Sequence, residues 1–174
     1  MQTRHQDRSA YFEETATSCR NYYLPYIEQH TSLKFGRNCR VMEVGCGFGG
    51  ILSIFAAKGA TVTGIDIHKP SIETAKTLFA ERGLKGTFIC SDIFDYSDTQ
   101  PYDLIILHDA LEHIPEKERL MLHLKSFLKA DGLLYLGFPA WQMPFGGHQQ
   151  MAKNRIIANC PYIHLLPRSL FRFV

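Results

Sequence analysis

Short apolar runs alternate with longer amphipathic stretches along the chain from Arg40 onward. The run at 104–107 is apolar at every position, which is typical of a strand buried on both faces of a parallel sheet. Such runs predict five β-strands, at Arg40–Gly45, Thr61–Asp66, Gly86–Ser91, Tyr102–His108 and Leu133–Phe138.

Apolar residues recur at helical spacing between these runs, and Gly or Pro marks the ends of the stretches. This spacing predicts helices at Phe48–Lys58, Pro70–Arg82 and Pro115–Ala130, and a further helix at Ser9–His30 that is interrupted near Pro25. Alternating strands and helices pair their strands in parallel through right-handed crossovers. The predicted fold class is therefore α/β, a doubly wound, mostly parallel sheet with helices on both faces.

Composition narrows the class of protein. The 174 residues are 45% hydrophobic and 21% charged, which suits a globular domain and excludes a disordered tail. No apolar run approaches the ~20 residues of a membrane-spanning helix, and the charged first 30 residues have no secretory-signal pattern. Five cysteines without Cys-x-x-Cys spacing are typical of thiols in a reducing compartment. We therefore expect no membrane span and a cytoplasmic location.

The charge distribution bears on possible partners. A net charge of +2 is too small to indicate a nucleic-acid partner. All 17 acidic residues lie at or before Asp131, and the last 43 residues hold only basic charges. These are Lys153, Arg155, Arg168 and Arg172. This segment is either an ordinary solvated face or a region that meets an anionic partner or substrate.

A glycine-rich turn joins the first predicted strand to the next helix. Its Gly-x-Gly-x-x-Gly spacing at 45, 47 and 50 fits both a dinucleotide fingerprint and other turns that hold a ligand against the backbone. Glu43 argues against the dinucleotide interpretation, because the burial of an unpaired carboxylate at a strand end costs free energy. A cationic group beside it, such as the ammonium of an amino-acid cofactor, would offset that cost.

Two further acids follow the second and third strands. Asp66 lies 21 residues after Gly45, where an acid can accept hydrogen bonds from both hydroxyls of a ribose. Its alternative role is to cap the next helix. Asp92 either accepts from an adenine amino group, with Ile93 against the ring, or caps a helix itself. Together these acids favour a cofactor that contains adenosine.

Ordered sequence blocks carry a resemblance to a known family. The blocks are Glu43-x-Gly45-x-Gly47-x-Gly49, Asp66, Ser91-Asp92-Ile93, Pro101-Tyr102-Asp103-Leu104-Ile105, Leu111-Glu112-His113-Ile114-Pro115 and Lys129-Ala130-Asp131-Gly132-Leu133-Leu134. In these blocks the chain resembles the class I S-adenosylmethionine-dependent methyltransferases, particularly their small-molecule, type 11/12-like branch. The resemblance covers residues 35 to 140. It implies a Rossmann-like methyltransferase fold with strand order 3-2-1-4-5 and a cofactor across the carboxyl ends of the first two strands.

The resemblance implies methyl transfer from S-adenosyl-L-methionine to a small or medium-sized acceptor by direct displacement, with S-adenosyl-L-homocysteine as product. A non-catalytic S-adenosylmethionine-binding scaffold and an NAD(P)-dependent oxidoreductase are the alternatives. The residues expected to bind the cofactor are Glu43, Gly45, Cys46, Gly47, Gly49, Asp66, Ile67, Asp92, Ile93 and His108.

Candidates for acceptor contacts follow the fourth and fifth strands. His108 and His148 are candidate general bases, because imidazole titrates near neutral pH. The expected acceptor contacts are Asp109, Trp141, Phe145 and His148. Asp109, Glu112 and His113 are similar to a divalent-metal motif of some O-methyltransferases. Glu-His before Ile-Pro also fits a helix cap, and we expect no metal, Mg²⁺ included.

The pattern divides the chain into three parts. These are an N-terminal helical segment at 1–35, a cofactor-binding α/β core at 36–140, and an acceptor-side loop and helices at 141–174. Nothing beyond Phe138 alternates like a strand, so we expect the last two strands of the family fold to be missing. We expect a truncated, weakly active enzyme whose fifth strand is an exposed edge that favours dimerisation.

Overall fold

A computed structural model describes residues 7–139, 143–144 and 158–165. Its described part contains a five-stranded parallel sheet with the order β3-β2-β1-β4-β5. The strands are β1 (Arg40–Val44), β2 (Thr61–Asp66), β3 (Thr87–Cys90), β4 (Tyr102–His108) and β5 (Leu128–Gly137). The predicted doubly wound α/β class and the strand order 3-2-1-4-5 are confirmed.

Helices cover both faces of this sheet because strand residues alternate between two apolar clusters. The helices are α1 (Arg8–Ser18), α2 (Leu24–His30), α3 (Gly50–Ala57), α4 (Lys69–Glu81) and α5 (Lys117–Phe127). Val41 and Leu104 pack with α1 to α4, whereas their neighbours Met42 and Ile105 pack with α5. Full burial on both faces explains why these strands are apolar at successive positions.

The N-terminal helical segment differs from its prediction near Pro25. The segment continues through Pro25, and a π-helical turn at Cys19–Tyr23 joins α1 to α2. In this turn the amide of Leu24 donates to the carbonyl of Cys19, five residues earlier. Pro25 lies in the first turn of α2, directly after the π-helical turn.

The junction between α5 and β5 also differs from its prediction. The helix ends at Phe127 rather than at Ala130, and β5 begins at Leu128 rather than at Leu133. Leu128 pairs with Tyr102, after which the register of β5 shifts before Leu133 pairs with Leu104. The shift contains Gly132, where a Cβ would lie 2.8 Å from the carbonyl oxygen of Tyr102. A pattern of helical spacing does not reveal such a backbone approach.

A polar network anchors the amino ends of the central strands. The Tyr102 hydroxyl lies 2.7 Å from a carboxylate oxygen of Asp98, which also accepts from the Tyr96 hydroxyl and the Arg40 guanidinium. Burial would raise the pKa of Asp98, but hydrogen bonds from the Gln100 amide and from these partners hold it well below its ordinary value. The ionised form of Asp98 therefore stabilises the folded chain.

Replacing Asp98 by asparagine is expected to lower the free energy of unfolding at pH 7 by about 1–3 kcal/mol, because hydrogen bonds to a charged group are lost. Since the folded-state pKa lies below the unfolded one, this contribution is present above the unfolded pKa and declines as the pH falls through the folded pKa. In urea denaturation, the difference in the free energy of unfolding between wild type and Asp98→Asn should shrink from pH 7 to pH 2. The exposed Asp95→Asn serves as control, and a difference that does not depend on pH would contradict the assignment.

The chain divides into two compact units, Met1–Gly137 and Phe138–Val174. The first contains the whole sheet and the helices α1 to α5. In the second, the described residues include a 3₁₀ turn at Ile163–Leu165, and the Tyr162 amide donates to the Pro144 carbonyl. Within the described ranges, none of the helices is long and apolar enough to cross a bilayer. All five cysteines lie in these ranges and are thiols.

Candidate functional site

The carboxyl ends of β1, β2 and β4 meet at one edge of the sheet, and the glycine-rich turn leaves β1 there. The amides of Gly45 and Cys46 both donate to the Ile65 carbonyl of β2, at 2.8 and 3.1 Å. These bonds hold the turn against the neighbouring strand. Such an edge, outside the ends of parallel strands, is where open α/β sheets bind ligands.

Gly47 has open space above it. It adopts φ +51, and a Cβ built on it would meet no atom of the described residues within 4 Å. Gly45 and Gly49 also have positive φ, but a Cβ at Gly45 would lie 2.6 Å from Ala110. The turn therefore needs its glycines for the backbone conformation, and the backbone of Gly47 is open on the side where a side chain would stand.

Gly49 and Gly50 both allow close packing, but against different elements. A Cβ at Gly49 would press on the Phe88 ring of β3, at 2.9 Å. At Gly50 it would collide with Thr15 and with the Phe12 carbonyl of α1. The N-terminal helix therefore packs directly on the start of α3. The sequence signal for this contact was the second glycine of the Gly49-Gly50 pair.

Glu43 is a buried carboxyl at the end of β1. Glu43 is 3% exposed, and its Oε2 has no hydrogen-bond partner among the residues that the structure describes. Burial and the nearby charge of Asp66 raise the pKa of Glu43 well above its ordinary value, although a hydrogen bond with the Leu52 backbone opposes this. Leu52 is in the first turn of α3, so the carboxyl lies at the amino end of that helix. A buried oxygen without a partner in the described part of the chain is a group that a bound ligand can satisfy.

The Cys46 side chain is buried against the sheet rather than turned to solvent. A Cβ on Gly64 would lie 2.8 Å from its Sγ. Burial, followed by the charges of Glu43 and Asp66, raises the pKa of the Cys46 thiol well above its ordinary value. Cys46 therefore presents its backbone, and not a thiolate, to the crevice.

Asp66 ends β2 and joins it to the glycine turn. One carboxylate oxygen accepts from the Gly47 amide at 2.9 Å, and the other accepts from the His68 amide at 2.8 Å. Each oxygen retains a lone pair, so two further donors can be accommodated. The alternative role predicted for Asp66 was to cap α4. Its two hydrogen bonds do not cap that helix, because the N-cap residue of α4 is His68. Ile67 is 75% exposed beside Asp66 and offers an apolar wall.

Asp92 and Ile93 lie after β3. The Asp92 carboxylate accepts from the Phe94 amide at 2.9 Å and caps the 3₁₀ turn Ile93–Asp95, which was the alternative reading from sequence. Ile93 is buried in the cluster under α5, and its carbonyl accepts from His123. The exposed Asp92 carboxylate is thus the part of this pair that is open to solvent.

His108 ends β4 and is held from several sides. Its ring lies 4.6 Å, centroid to centroid, from the ring of Tyr23 at an interplanar angle of 31°. Its Nδ1 is at ion-pair distance, 3.3 Å, from a carboxylate oxygen of Asp109. Asp109 adopts φ +51, and its amide donates to the Gly137 carbonyl of β5. Sequence reasoning identified His108 and Asp109 but missed Tyr23, because nothing local links that helix to β4.

The similarity to a divalent-metal motif is not matched by geometry. Within the described ranges, which include Asp109, Glu112 and His113, no group of three or more potential ligands is placed to hold a metal ion. The carboxylate of Asp109 faces His108, whereas Oε2 of Glu112 is buried without a hydrogen-bond partner. The other predicted acceptor contacts, Trp141, Phe145 and His148, lie outside the described residues.

The strand order, the glycine turn after β1 and the acid after β2 define a Rossmann-like methyltransferase fold. A family model described as a methyltransferase domain matches residues 35–170. The chain belongs to this methyltransferase domain family, and its resemblance to class I S-adenosylmethionine-dependent methyltransferases is confirmed.

Curated and solved proteins agree with this membership. A ubiquinone biosynthesis O-methyltransferase of Coxiella burnetii is 39% identical over 114 residues, which cover 64% of this chain and 47% of that protein. The chain thus spans about half the length of the curated relatives it matches.

Two solved structures share the fold. The plantazolicin methyltransferase BpumL, in complex with a pentazolic desmethylPZN analog and S-adenosylhomocysteine, aligns with a TM-score of 0.63 at 19% identity, over 99% of this chain and 70% of that one. Coclaurine N-methyltransferase, bound to N-methylheliamine and S-adenosylhomocysteine, aligns with a TM-score of 0.58 at 24% identity, over 66% of this chain and 34% of that one.

Proposed function

We propose that the chain binds S-adenosylmethionine at the carboxyl ends of β1 and β2 and transfers its methyl group to a hydroxyl of a small-molecule acceptor. The observation that carries the proposal is the buried, unpartnered Oε2 of Glu43 at the end of the strand that leads into the glycine turn. The open space at Gly47 and the two remaining lone pairs of Asp66 support it. Family membership supports the reaction class.

The residues of the crevice fit this cofactor group by group. Its ammonium would offset the burial of the Glu43 carboxylate, and its ribose hydroxyls would donate to Asp66 beside the exposed Ile67. The backbone of the turn would lie against the cofactor with no side chain between them. The residues proposed to hold the cofactor are Glu43, Gly45, Cys46, Gly47, Gly49, Asp66, Ile67, Asp92, Ile93 and His108.

The chemistry divides between the cofactor and the chain. When bound, S-adenosylmethionine supplies a methyl carbon on a positively charged sulfur, which keeps the electron pair of the broken carbon–sulfur bond. The chain aligns the acceptor and excludes water. His108 accepts the proton of the acceptor hydroxyl at Nε2, so that the oxygen lone pair forms the new bond, and later passes the proton to water. The nearby Asp109 carboxylate favours the tautomer that carries its proton on Nδ1.

An oxygen acceptor is the choice that the curated relatives favour, since their names describe O-methyltransferases. The four basic residues of the acid-free last segment favour an anionic acceptor. We propose that residues 141–174 form the acceptor-side segment, with Asp109, Trp141, Phe145 and His148 as contacts and His148 as the second candidate base. Residues 1–35 and 36–140 would be the helical segment and the cofactor-binding core.

Replacing Asp66 by alanine is expected to weaken S-adenosylhomocysteine binding by about tenfold or more, or about 1.4 kcal/mol. The variant loses both the ribose partner and the acceptor for the Gly47 amide. Isothermal titration calorimetry measures the change, and Glu118→Ala, which removes an exposed acid on α5, is the control. Unchanged affinity in the Asp66 variant would show that the ribose does not bind at Asp66.

The proposed reaction is tested by release of S-adenosylhomocysteine with three acceptor probes. Catechol offers a neutral hydroxyl, 3,4-dihydroxybenzoate an anionic one, and benzylamine a nitrogen. We expect methylation of the two hydroxyl probes, with the larger kcat/KM for the anionic one. Turnover of benzylamine alone would contradict an oxygen acceptor. Tight S-adenosylhomocysteine binding without turnover of any probe would favour the scaffold alternative.

Two finer proposals concern the setting of the chain. The strand β5 has a single partner strand, β4, within the described sheet, and its exposed backbone edge supports association with a second copy. Sedimentation velocity would detect this dimer, and a monomer at about 100 µM would contradict it.

The thiol state of all five cysteines supports a cytoplasmic, reducing location.

A further inference from the structure

We infer that Tyr23 is a positioning residue that holds the His108 imidazole in place, so that the N-terminal helical segment completes the acceptor side of the site. The inference rests on the proposed function, because it gives a task to the base assigned there. It adds a residue outside the cofactor-binding core, which no motif in that core would reveal.

The first observation is the contact itself. The Tyr23 and His108 rings are 4.6 Å apart and tilted by 31°, a separation typical of offset stacking. The Tyr23 ring also lies 5.8 Å from the ring of Tyr135 on β5. Tyr23 thus spans the ends of β4 and β5, and a rotation of the imidazole away from its present position would break the stack.

The second observation is how tightly the imidazole is enclosed on the strand side. A Cβ built on Gly137 would lie 2.5 Å from Cδ2 of His108, which is closer than real side chains approach. Gly137 has no positive φ, so its backbone does not require glycine. The space taken by the imidazole is what excludes a larger residue there. His108 is therefore fixed between an aromatic ring and a bare strand backbone.

The third observation concerns the ring nitrogens. Nδ1 faces the Asp109 carboxylate at 3.3 Å, whereas no hydrogen bond to Nε2 is found among the described residues. The His108 side chain is 22% exposed, and Nε2 is the ring nitrogen proposed to accept the proton of the acceptor hydroxyl. Stacking acts on the ring faces and leaves this in-plane nitrogen unobstructed.

The fourth observation explains how the helix presents Tyr23. Tyr23 is the last residue of the π-helical turn Cys19–Tyr23. The additional residue in such a turn rotates the helix that follows, and π-turns recur at functional sites. Burial, together with the charge of Asp109, raises the pKa of the Tyr23 hydroxyl, against an opposing hydrogen bond from Ser18. Tyr23 therefore stays neutral and acts through its ring.

The test compares Tyr23→Leu with Tyr23→Phe, which keeps the ring, and with Tyr22→Leu, a matched change at an adjacent tyrosine that is 69% exposed. Three quantities are measured in the full chain: the NMR shifts of the His108 ring protons, the Kd of S-adenosylhomocysteine, and kcat and KM with 3,4-dihydroxybenzoate. The His108 resonances are assigned by their loss in His108→Gln.

In the wild-type chain, the His108 ring protons should be shifted upfield by the Tyr23 ring current. Tyr23→Leu should remove this shift and lower kcat by about tenfold or more, within the range of general-base effects. The Kd of S-adenosylhomocysteine and the KM of S-adenosylmethionine should change less than kcat does, since Tyr23 contacts the ring of His108 and not the backbone of the glycine turn. Tyr23→Phe should retain both the upfield shift of the His108 ring protons and the wild-type kcat, and Tyr22→Leu should behave as wild type.

Gly137→Ala is an independent variant, because its methyl group would displace the His108 imidazole while Tyr23 remains. It should also lower kcat and alter the His108 shifts, so it tests the inference even if Tyr23→Leu does not fold. Wild-type kcat in Tyr23→Leu, an equal loss in Tyr23→Phe, or absence of the upfield shift in the wild-type chain would each overturn the inference. Where no turnover is detected, the imidazole shifts decide. Failure of S-adenosylhomocysteine to bind the wild-type chain would instead overturn the proposed function.

Discussion

Replacing Gly47 by valine is expected to weaken S-adenosylhomocysteine binding by about 100-fold or more, or about 2.7 kcal/mol. A Cβ at Gly47 would meet no atom of the described residues within 4 Å, and the valine side chain would project into the space that the cofactor is proposed to fill. The positive φ of Gly47 adds about 1–2 kcal/mol of backbone strain in the free chain. The variant should therefore fold with reduced stability yet fail to bind.

Gly83→Ala and Gly47→Ala form a matched pair that separates the effect of backbone strain from the effect of blocking the cofactor site. Gly83 also has a positive φ and open space above it, but it lies at the end of α4. Both alanine variants should lose similar stability in thermal unfolding. Only the Gly47 variant should lose affinity in calorimetry. Equal affinity in both alanine variants, together with binding by Gly47→Val, would show that the cofactor does not lie against the turn.

Replacing Glu43 by glutamine is expected to have opposite effects on stability and binding. The variant removes the charge of a buried carboxyl and leaves an amide in its place, so the free chain should be more stable than wild type at pH 8. It also removes the charge that would meet the cofactor ammonium, so the Kd of S-adenosylhomocysteine should rise about tenfold.

The pH dependence of this gain follows from the raised pKa of Glu43. A carboxyl whose folded pKa exceeds its unfolded pKa contributes most stability at low pH and loses that contribution as the pH rises through the folded pKa. The difference in unfolding free energy between Glu43→Gln and wild type should therefore grow from pH 5 to pH 8 in urea denaturation. Glu118→Gln, at an exposed position on α5, is the control. A difference that shrinks with rising pH would contradict the burial argument.

The sheet was predictable because its strands are buried on both faces. The predicted bounds of the second and fourth strands, Thr61–Asp66 and Tyr102–His108, are those observed, since full burial selects apolar residues at successive positions. The junction after α5 was not predictable, because Leu128 serves as both the end of an amphipathic pattern and the first strand residue. There the register shift depends on a close backbone approach at Gly132.

The same contrast applies to the candidate site. Glu43, Asp66 and the glycine turn were identified because strand ends and their spacing place them at one edge of the sheet. Tyr23 was not identified, since its task depends on a tertiary contact between a helix and the distant end of β4. The Asp92 cap shows the remaining ambiguity, because a short acid after a strand serves a turn and a ligand equally well.

Calorimetric titration with S-adenosylhomocysteine and with NAD, side by side on the same preparation, tests the central claim most directly. The buried carboxyl of Glu43 and the space at Gly47 predict submillimolar binding of S-adenosylhomocysteine and no measurable binding of NAD, with the first lost in Gly47→Val. Submillimolar NAD binding without S-adenosylhomocysteine binding would contradict the account and favour the oxidoreductase alternative.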